Sequence, residues 1–285
     1  MATATRARRR PVMPRAAWWG VCTALAVLFI YPLYVMLSQS LKDPAEAAAV
    51  PPTLYPHNPS FENYSGLATG DINVFDHVAN SALVSLGATA LTVVLSTLGG
   101  YAFARLRFPG SNVLFFAMLA TFMIPFQAII TPLYIVLKDL GLQNSLLGLA
   151  LVYTTFHLPF GLFLMRNSFA AIPIGMEEAA RIDGAGVLKA LWYVVLPLAV
   201  PGVITTALFT FFASWNEFFA ALILITDQAK FTLPVTLTLI SSGVFGSIDW
   251  GLLQAGVALT IIPCVAIYLV LQRYYVGGLL SGALK

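Results

Sequence analysis

The stretch SALVSLGATALTVVLSTLGGYAF occupies residues 81–103 and contains no aspartate, glutamate, lysine or arginine. A helix needs about 20 mostly apolar residues to cross the hydrocarbon layer of a membrane, so this stretch is long enough to span it. Strands of a membrane β-barrel are about half as long and alternate between polar and apolar residues, which this stretch does not do. Residues 81–103 therefore predict a transmembrane α-helix.

Five further stretches of the same kind accompany it along the chain. They lie at about residues 18–37, 113–137, 146–165, 203–226 and 254–274. The chain of 285 residues is 59% hydrophobic and only 9% charged, and its mean hydropathy is +0.85. Soluble domains are about 45–50% apolar and about 25% charged, so this composition excludes a soluble fold. The sequence predicts an all-α integral membrane protein with six transmembrane helices.

The basic residues indicate how the six helices are oriented. Of the fifteen Lys and Arg residues, twelve fall in the two termini and the loops on their side of the membrane, and three fall on the opposite side. Loops rich in Lys and Arg remain in the cytoplasm, so both termini are expected there. We expect a basic cytoplasmic segment at 1–17 and a single transmembrane domain at 18–285. A cleaved signal peptide is the alternative for the first span, but its apolar stretch is longer than such peptides have.

Two of the predicted loops are long. The outer loop, residues 38–80, contains five prolines and is expected to form an ordered cap rather than one long helix. The cytoplasmic loop covers residues 166–201. Pro173 suits the first turn of a helix there, and Gly184 suits the left-handed residue that ends it near residue 182. A second short helix, at about 187–195, is expected to stop at the following proline.

Polar side chains inside the predicted spans are a second lead, because such groups are costly in lipid and mark functional sites. Trp215, Asn216 and Glu217 lie together in the fifth span, where an indole, an amide and a carboxylate suit a sugar. His157 and Gln127 lie beside prolines in the fourth and third spans. For each residue, lining of a translocation path competes with a structural contact between helices.

Several chemistries are not expected in this chain. It lacks the G-x-x-x-x-G-K-[ST] sequence of a P-loop, so ATP would have to be bound by another chain. Cys22 and Cys264 have no short metal-ligand spacing, so neither a metal site nor another cofactor is expected. Nothing in the sequence suggests a nucleic-acid partner. No nucleophile, base and orienting group form the pattern of an enzyme.

The cytoplasmic loop resembles the EAA loop of ABC importer permeases. Glu178-Ala179-Ala180 is followed after three residues by Gly184, and Val194 and Leu196-Pro197 complete the pattern, with valine where the family usually has isoleucine. This resemblance implies that the loop docks on a cytoplasmic ATPase. The residues that it assigns to this coupling are Glu178, Ala179, Ala180, Asp183, Gly184, Leu196 and Pro197.

Other stretches are similar to the carbohydrate-uptake branch of these permeases, and in particular to the six-span permease subunit of maltose-type transporters. They are Ser40-Leu41-Lys42, Phe61-Glu62-Asn63-Tyr64, Tyr101-Ala102-Phe103-Ala104-Arg105, Phe108-Pro109-Gly110, Trp215-Asn216-Glu217-Phe218 and the tail within 275–285. The resemblance implies a type I importer permease fold in a bacterial inner membrane. The implied partners are a second permease, two ATPase subunits holding ATP and Mg²⁺, an extracytoplasmic solute-binding protein or lipoprotein, and membrane lipid.

The implied cargo is a sugar or sugar-like solute, such as an oligosaccharide, a polyol or a glycerol phosphodiester. An ion-coupled secondary transporter or channel with six spans is the main alternative. Such carriers usually show intramembrane charge pairs or repeated halves, and neither pattern is evident in this sequence. A membrane scaffold without a transport role is a further alternative, which the polar residues and prolines in several spans disfavour.

Overall fold

The computed structural model describes residues 14–69, 73–244 and 248–283, and for 272–283 it describes the backbone alone. All regular elements in these residues are helical. In chain order the α-helices are α1 (Arg15–Ser40), α2 (Pro44–Ala47), α3 (Glu62–Thr69), α4 (Val74–Arg105), α5 (Ser111–Thr121), α6 (Phe126–Asp139), α7 (Leu146–Ala170), α8 (Ile174–Ile182), α9 (Val187–Ala190), α10 (Leu196–Trp215), α11 (Phe219–Leu224), α12 (Leu233–Ser241) and α13 (Trp250–Ala283). A π-helical turn at Leu191–Val195 joins α9 to α10, and a 3₁₀ turn occupies Gln228–Lys230.

Five helices in the described part of the chain are long and apolar enough to cross a membrane. They are α1, α4, α7, the continuous helix Val187–Trp215, and the segment Trp250–Leu271 of α13. The bent pair α5 and α6 makes a sixth span when its two helices are counted as one. The prediction of an all-α membrane protein is therefore confirmed. Most of the basic N-terminal segment 1–17 and the end of the tail lie outside the described residues.

The third predicted span, 113–137, is not one straight helix, because α5 and α6 meet at a bend of 101°. The amides of Phe122, Met123 and Ile124 bond to carbonyls three residues earlier, so the end of α5 tightens into 3₁₀ geometry. Pro125 follows and has no amide proton with which to continue the helix. Pro125 is the residue just before α6. A backbone N–H at the start of a helix has no partner within the helix, so the missing proton costs nothing there.

The fifth predicted span, 203–226, was placed too late in the sequence, and the expected stop at Pro197 is wrong. One helix runs through that proline from Val187 to Trp215. In the π-helical turn before Pro197, the Leu196 amide bonds to the Leu191 carbonyl five residues earlier. This wider turn accommodates a proline that would otherwise clash with the preceding turn of an α-helix. The span is therefore continuous with the second short helix of the loop.

The chain divides into two compact units, and the larger comprises Leu67–Ile248 with Leu259–Lys285. Its centre is formed by α4, α7 and α10, which pack on one another. Small residues allow the first two helices to come close: a Cβ added to Gly100 would lie 2.6 Å from the Cβ of Met165 and 2.9 Å from the backbone nitrogen of Arg166. This is the usual way in which membrane helices pack, because lipid provides no hydrophobic force to drive them together.

The smaller unit comprises Met1–Gly66 with Asp249–Ala258. In it, the Asn63 side-chain amide donates hydrogen bonds to the carbonyls of Ser40 and Lys42, at 2.9 and 2.7 Å. Two of the stretches that resemble the carbohydrate branch therefore contact each other. Nearby, the carboxylate of Glu46 lies 2.7 Å from Nδ1 of His57, and this hydrogen bond lowers the pKa of Glu46 from its usual 4.5.

Candidate functional site: the α8 loop and the polar break after α10

The α8 loop has the helix end that the sequence predicts. Gly184 has φ of +83°, a left-handed conformation that disfavours residues with a Cβ. Its amide donates to the carbonyl of Arg181, and the amide of Ala185 donates to that of Ala180, both at 3.0 Å. Together these two bonds form a Schellman motif, which satisfies the last carbonyls of the helix. The chain therefore turns sharply at Gly184 before entering α9.

The residues assigned to coupling are mostly at the surface of this loop. Glu178, Ala179, Asp183 and Gly184 are exposed, and Ala180 is half-buried. Leu196 and Pro197 lie outside this loop, because both belong to the first turn of α10. Leu196 packs against a buried cluster around Tyr101 and Met165, while Pro197 is exposed.

Large apolar side chains are exposed on the same stretch. Ile182 at the end of α8 is 87% exposed, and Leu188 and Tyr193 further along are 64% and 80% exposed. Leu188 and Tyr193 belong to the helix Val187–Trp215, which is long and apolar enough to span a membrane, so their exposure suits lipid as well as a protein partner. The exposed charges of this stretch are mixed, with the carboxylates of Glu178 and Asp183 near the basic side chains of Arg181 and Lys189.

The sequence-based prediction missed Glu177, the buried residue of this loop. Its side chain is 4% exposed, and its carboxylate contacts Tyr101, Arg105 and Arg181. The spacing of Glu177 and Arg181 by four residues on one helix was a visible signal. The other two partners lie on α4, more than 70 residues earlier, where sequence spacing gives no indication of the contact.

The second predicted site surrounds the break after α10. The helix ends at Trp215, and the carboxylate of Glu217 accepts hydrogen bonds from the amides of Ala220 (2.9 and 3.1 Å) and Ala221 (3.3 Å). Glu217 therefore caps the short helix α11, because it satisfies two amides at the start of that helix. The hydroxyl of Tyr153 donates to the same carboxylate at 2.5 Å.

The side chains of Trp215, Asn216 and Glu217, which are adjacent in sequence, have different surroundings. Trp215 is 2% exposed, its ring stacks on Phe211, and its indole N–H donates to the carbonyl of Thr260 at 3.0 Å. The exposed Asn216 donates from its side chain to the carbonyl of Phe212, four residues earlier. Trp215 and Glu217 thus contribute to helix packing and capping, and Asn216 has the most accessible side chain of the three.

His157 lines a cavity of about 300 Å³. The other lining residues are mainly aromatic: Phe122, Phe156, Phe160, Phe209, Thr210 and Ala213. Phe122 follows α5 at the bend of the broken span, and with Phe156 it also lines a second cavity of about 170 Å³. Gln127 is exposed on the first turn of α6 and lines neither cavity. The spacing of Phe156 and Phe160 by four residues was the signal for this aromatic face.

The amino-acid sequence of this chain is similar to those of known transport proteins. The diacetylchitobiose uptake system permease protein NgcG of Streptomyces coelicolor is 35% identical over 91% of this chain and 85% of that protein. The trehalose transport system permease protein SugB of Mycobacterium tuberculosis is 35% identical over 95% of this chain and 98% of that protein.

A solved structure has the same fold over nearly the whole length of this chain. The crystal structure of a bacterial ABC transporter involved in the import of the acidic polysaccharide alginate matches with a TM-score of 0.79 and 26% identity, covering 93% of this chain and 100% of that chain. The family model for the binding-protein-dependent transport system inner membrane component matches residues 84–279. The chain therefore belongs to this family of multi-pass inner-membrane permease subunits of ABC importers, which have the type I fold and are transport components rather than enzymes.

Proposed function

We propose that this chain is one half of the membrane pore of an ABC importer for a small oligosaccharide, a polyol or a glycerol phosphodiester. The observation that carries the proposal is the exposed surface around Gly184, which presents apolar and acidic side chains outside the helical core. The relatives that transport diacetylchitobiose and trehalose support the choice of an oligosaccharide as cargo. A second, different permease completes the pore, and a solute-binding protein delivers the sugar.

Coupling to ATP takes place through α8. Two cytoplasmic ATPase subunits bind ATP and Mg²⁺, and one of them receives the α8 loop in a cleft. Ile182 and Leu188 bury apolar surface there, and Glu178 contributes a negative charge. Because α8 leads into α7 on one side and into the long helix from Val187 on the other, its movement reaches two spans along the backbone. The distribution of Lys and Arg supports a cytoplasmic position for both termini, on the same side as the loop.

The aromatic cavity beside His157 is the part of the path that suits a sugar best. Aromatic rings stack against the apolar face of a sugar ring, while an imidazole hydrogen-bonds its hydroxyl groups. Phe122 brings the bend of the broken span into the wall of this cavity. Asn216 and Gln127 offer accessible amides to the path, and Trp215 and Glu217 hold the helices that form its wall.

The proposal is tested by purifying this chain from cells that co-express its genomic neighbours. An ATPase subunit is expected to co-purify, and Ile182→Glu is expected to release it because a carboxylate would be buried in the cleft. Glu178→Gln should weaken the same contact. Glu62→Gln serves as the matched control, since Glu62 is an exposed glutamate of α3 outside the loop.

Two results would contradict the proposal. In the first, no ATPase accompanies the chain; in the second, Ile182→Glu has no more effect than the control. Either result would show that the surface around Gly184 is not where this permease docks on an ATPase.

A further inference from the structure

We infer that α8 and the C-terminal end of α4 move as one body, joined by the buried carboxylate of Glu177, so that the second span receives the coupling movement directly. This inference rests on the proposed docking of α8 on an ATPase. It adds α4 to the spans that move with the loop. The backbone connects α8 directly to α7 and to the helix from Val187, whereas α4 ends at Arg105 and is followed by α5 and α6.

The first part of the link is the carboxylate itself. One oxygen of Glu177 accepts hydrogen bonds from the hydroxyl of Tyr101 on α4 and from Arg181 on α8, both at 2.7 Å. The other oxygen lies 3.4 Å from Nε of Arg105, at the end of α4. The side chains of Glu177 and Arg105 are only 4% and 7% exposed, so water screens this ion pair little.

A second contact joins α4 to the segment that leads into α8. Arg105 also donates from Nη2 to the carbonyl of Ile172, at 2.6 Å. One guanidinium therefore binds the chain just before α8 and the carboxylate within it. The planar arrangement of donors in arginine suits such a double contact, which lysine could not reproduce.

The link is anchored in the packed interior. Tyr101 is 3% exposed and its ring lies edge-on to Phe169 of α7, with the ring centres 5.7 Å apart. The same buried cluster contains Met165, Leu191 and Val195, so it includes residues on both sides of the α8 loop. A cluster of this kind resists shear, because side chains in a packed interior cannot shift independently.

The neighbouring Glu178 provides the contrast. It is exposed, and it has no hydrogen bond or ion pair with another described residue. Removing one partner of a buried ion pair leaves an uncompensated charge or an unpaired polar group, whereas removing an exposed carboxylate does not. Glu177 is therefore a positioning residue for the docking helix, and Glu178 is a surface residue available to the ATPase.

The experiment measures a distance within the assembled transporter. Cys22 and Cys264 are replaced by serine, and spin labels are attached at Arg107→Cys beyond the end of α4 and at Met176→Cys on α8, outside the proposed docking surface. Both positions are exposed and neither belongs to the link. With an otherwise native sequence, the distance distribution between the two labels should remain unchanged when a non-hydrolysable ATP analogue binds.

Glu177→Gln should broaden or shift that distribution on nucleotide binding, and Glu62→Gln, the control at an exposed glutamate of α3 outside the loop, should leave it unchanged. Transport per ATP hydrolysed should fall by about tenfold in Glu177→Gln, since a hydrogen bond to a charged group corresponds to at least that factor in an equilibrium. If Glu177→Gln does not assemble, Tyr101→Phe removes one hydrogen bond while retaining the ring, and the same broadening is expected to a smaller extent.

A distance that changes on nucleotide binding in the otherwise native chain would overturn the inference, because α4 and α8 would then move separately. An unchanged distribution in both Glu177→Gln and Tyr101→Phe would also overturn it. Failure of the proposed function is distinguishable from either outcome, since the ATPase would then be missing from the purified complex before any distance is measured.

Discussion

Two adjacent glutamates on α8 have opposite surroundings. The carboxylate of Glu177 is buried against α4, and that of Glu178 faces away from the described core. The family resemblance directs attention to Glu178. Consecutive residues on an α-helix point about 100° apart, so Glu177 and Glu178 face different surroundings. The sequence shows that Glu177 and Arg181 share one face of α8, but it does not show that Tyr101 and Arg105 approach that face. These contacts depend on how α4 packs, which is decided by residues far apart in the chain.

Glu217 combines two roles that a sequence pattern does not separate. Expected as a pathway residue, it accepts hydrogen bonds from the amides at the start of α11 and from Tyr153 of α7. Its place in the W-N-E-F stretch indicates a polar residue inside a span. Only the position of the α10 break shows that the carboxylate acts as a helix cap.

Replacing Glu217 should therefore destabilise the chain. Loss of an N-terminal cap costs about 1 kcal/mol, so Glu217→Ala should lower the thermal unfolding temperature in detergent. Glu217→Gln retains one acceptor and should lower it less. Asn216→Ala is the control, because its exposed side chain hydrogen-bonds the carbonyl of Phe212 and the thiol of Cys264 and does not cap α11. Equal melting temperatures for Glu217→Ala and the native chain would show that the cap does not stabilise α11.

At the scale of the helix, the apolar runs predict the spans well where no residue interrupts the backbone bonds. Residues 81–103 fall within α4, and 146–165 fall within α7. The expected helix stop at Pro197 was wrong, and Pro125 and Pro197 have opposite effects on their helices. Proline ends α5 at a bend, yet the π-helical turn before Pro197 allows the helix to continue. Whether a proline breaks or merely widens a helix depends on the surrounding packing, which the sequence alone does not specify.

The close approach of α4 and α7 gives a prediction at the same scale. Gly100→Ala places a Cβ 2.6 Å from the Cβ of Met165 and 2.9 Å from the backbone nitrogen of Arg166, so the two helices must separate. Overpacking of this kind typically costs about 1–3 kcal/mol, which should lower the unfolding temperature. In the same helix, Gly87→Ala would meet its nearest atom, the Cβ of Ala150, at 3.8 Å and should be neutral or slightly stabilising.

Comparing Gly100→Ala with Gly87→Ala separates the effect of the close helix contact from the general effect of alanine on helix stability. If Gly100→Ala and Gly87→Ala unfold at the same temperature, the α4 and α7 backbones are not as close as the structure places them. A selective loss in Gly100→Ala would confirm that small residues set the separation of the two helices.

At the scale of the whole molecule, the proposal assigns a path and a docking surface to this chain and the supply of energy to its partners. The helical core of α4, α7 and α10 is bordered by the aromatic cavity near His157 and by the α8 loop. Composition and motif were sufficient to predict the membrane class and the loop. The cavity was not predicted, because it is formed by rings from α7, α10 and the bend of the third span, whose meeting depends on that bend.

Uptake into proteoliposomes tests the central claim most directly. The chain is reconstituted with its second permease and two ATPase subunits, and the binding protein loaded with a radiolabelled disaccharide is added outside. The account predicts uptake that requires ATP inside, that requires the loaded binding protein, and that is lost in Ile182→Glu but retained in Glu62→Gln. Uptake driven by an ion gradient without ATP, or unaffected by Ile182→Glu, would contradict the account.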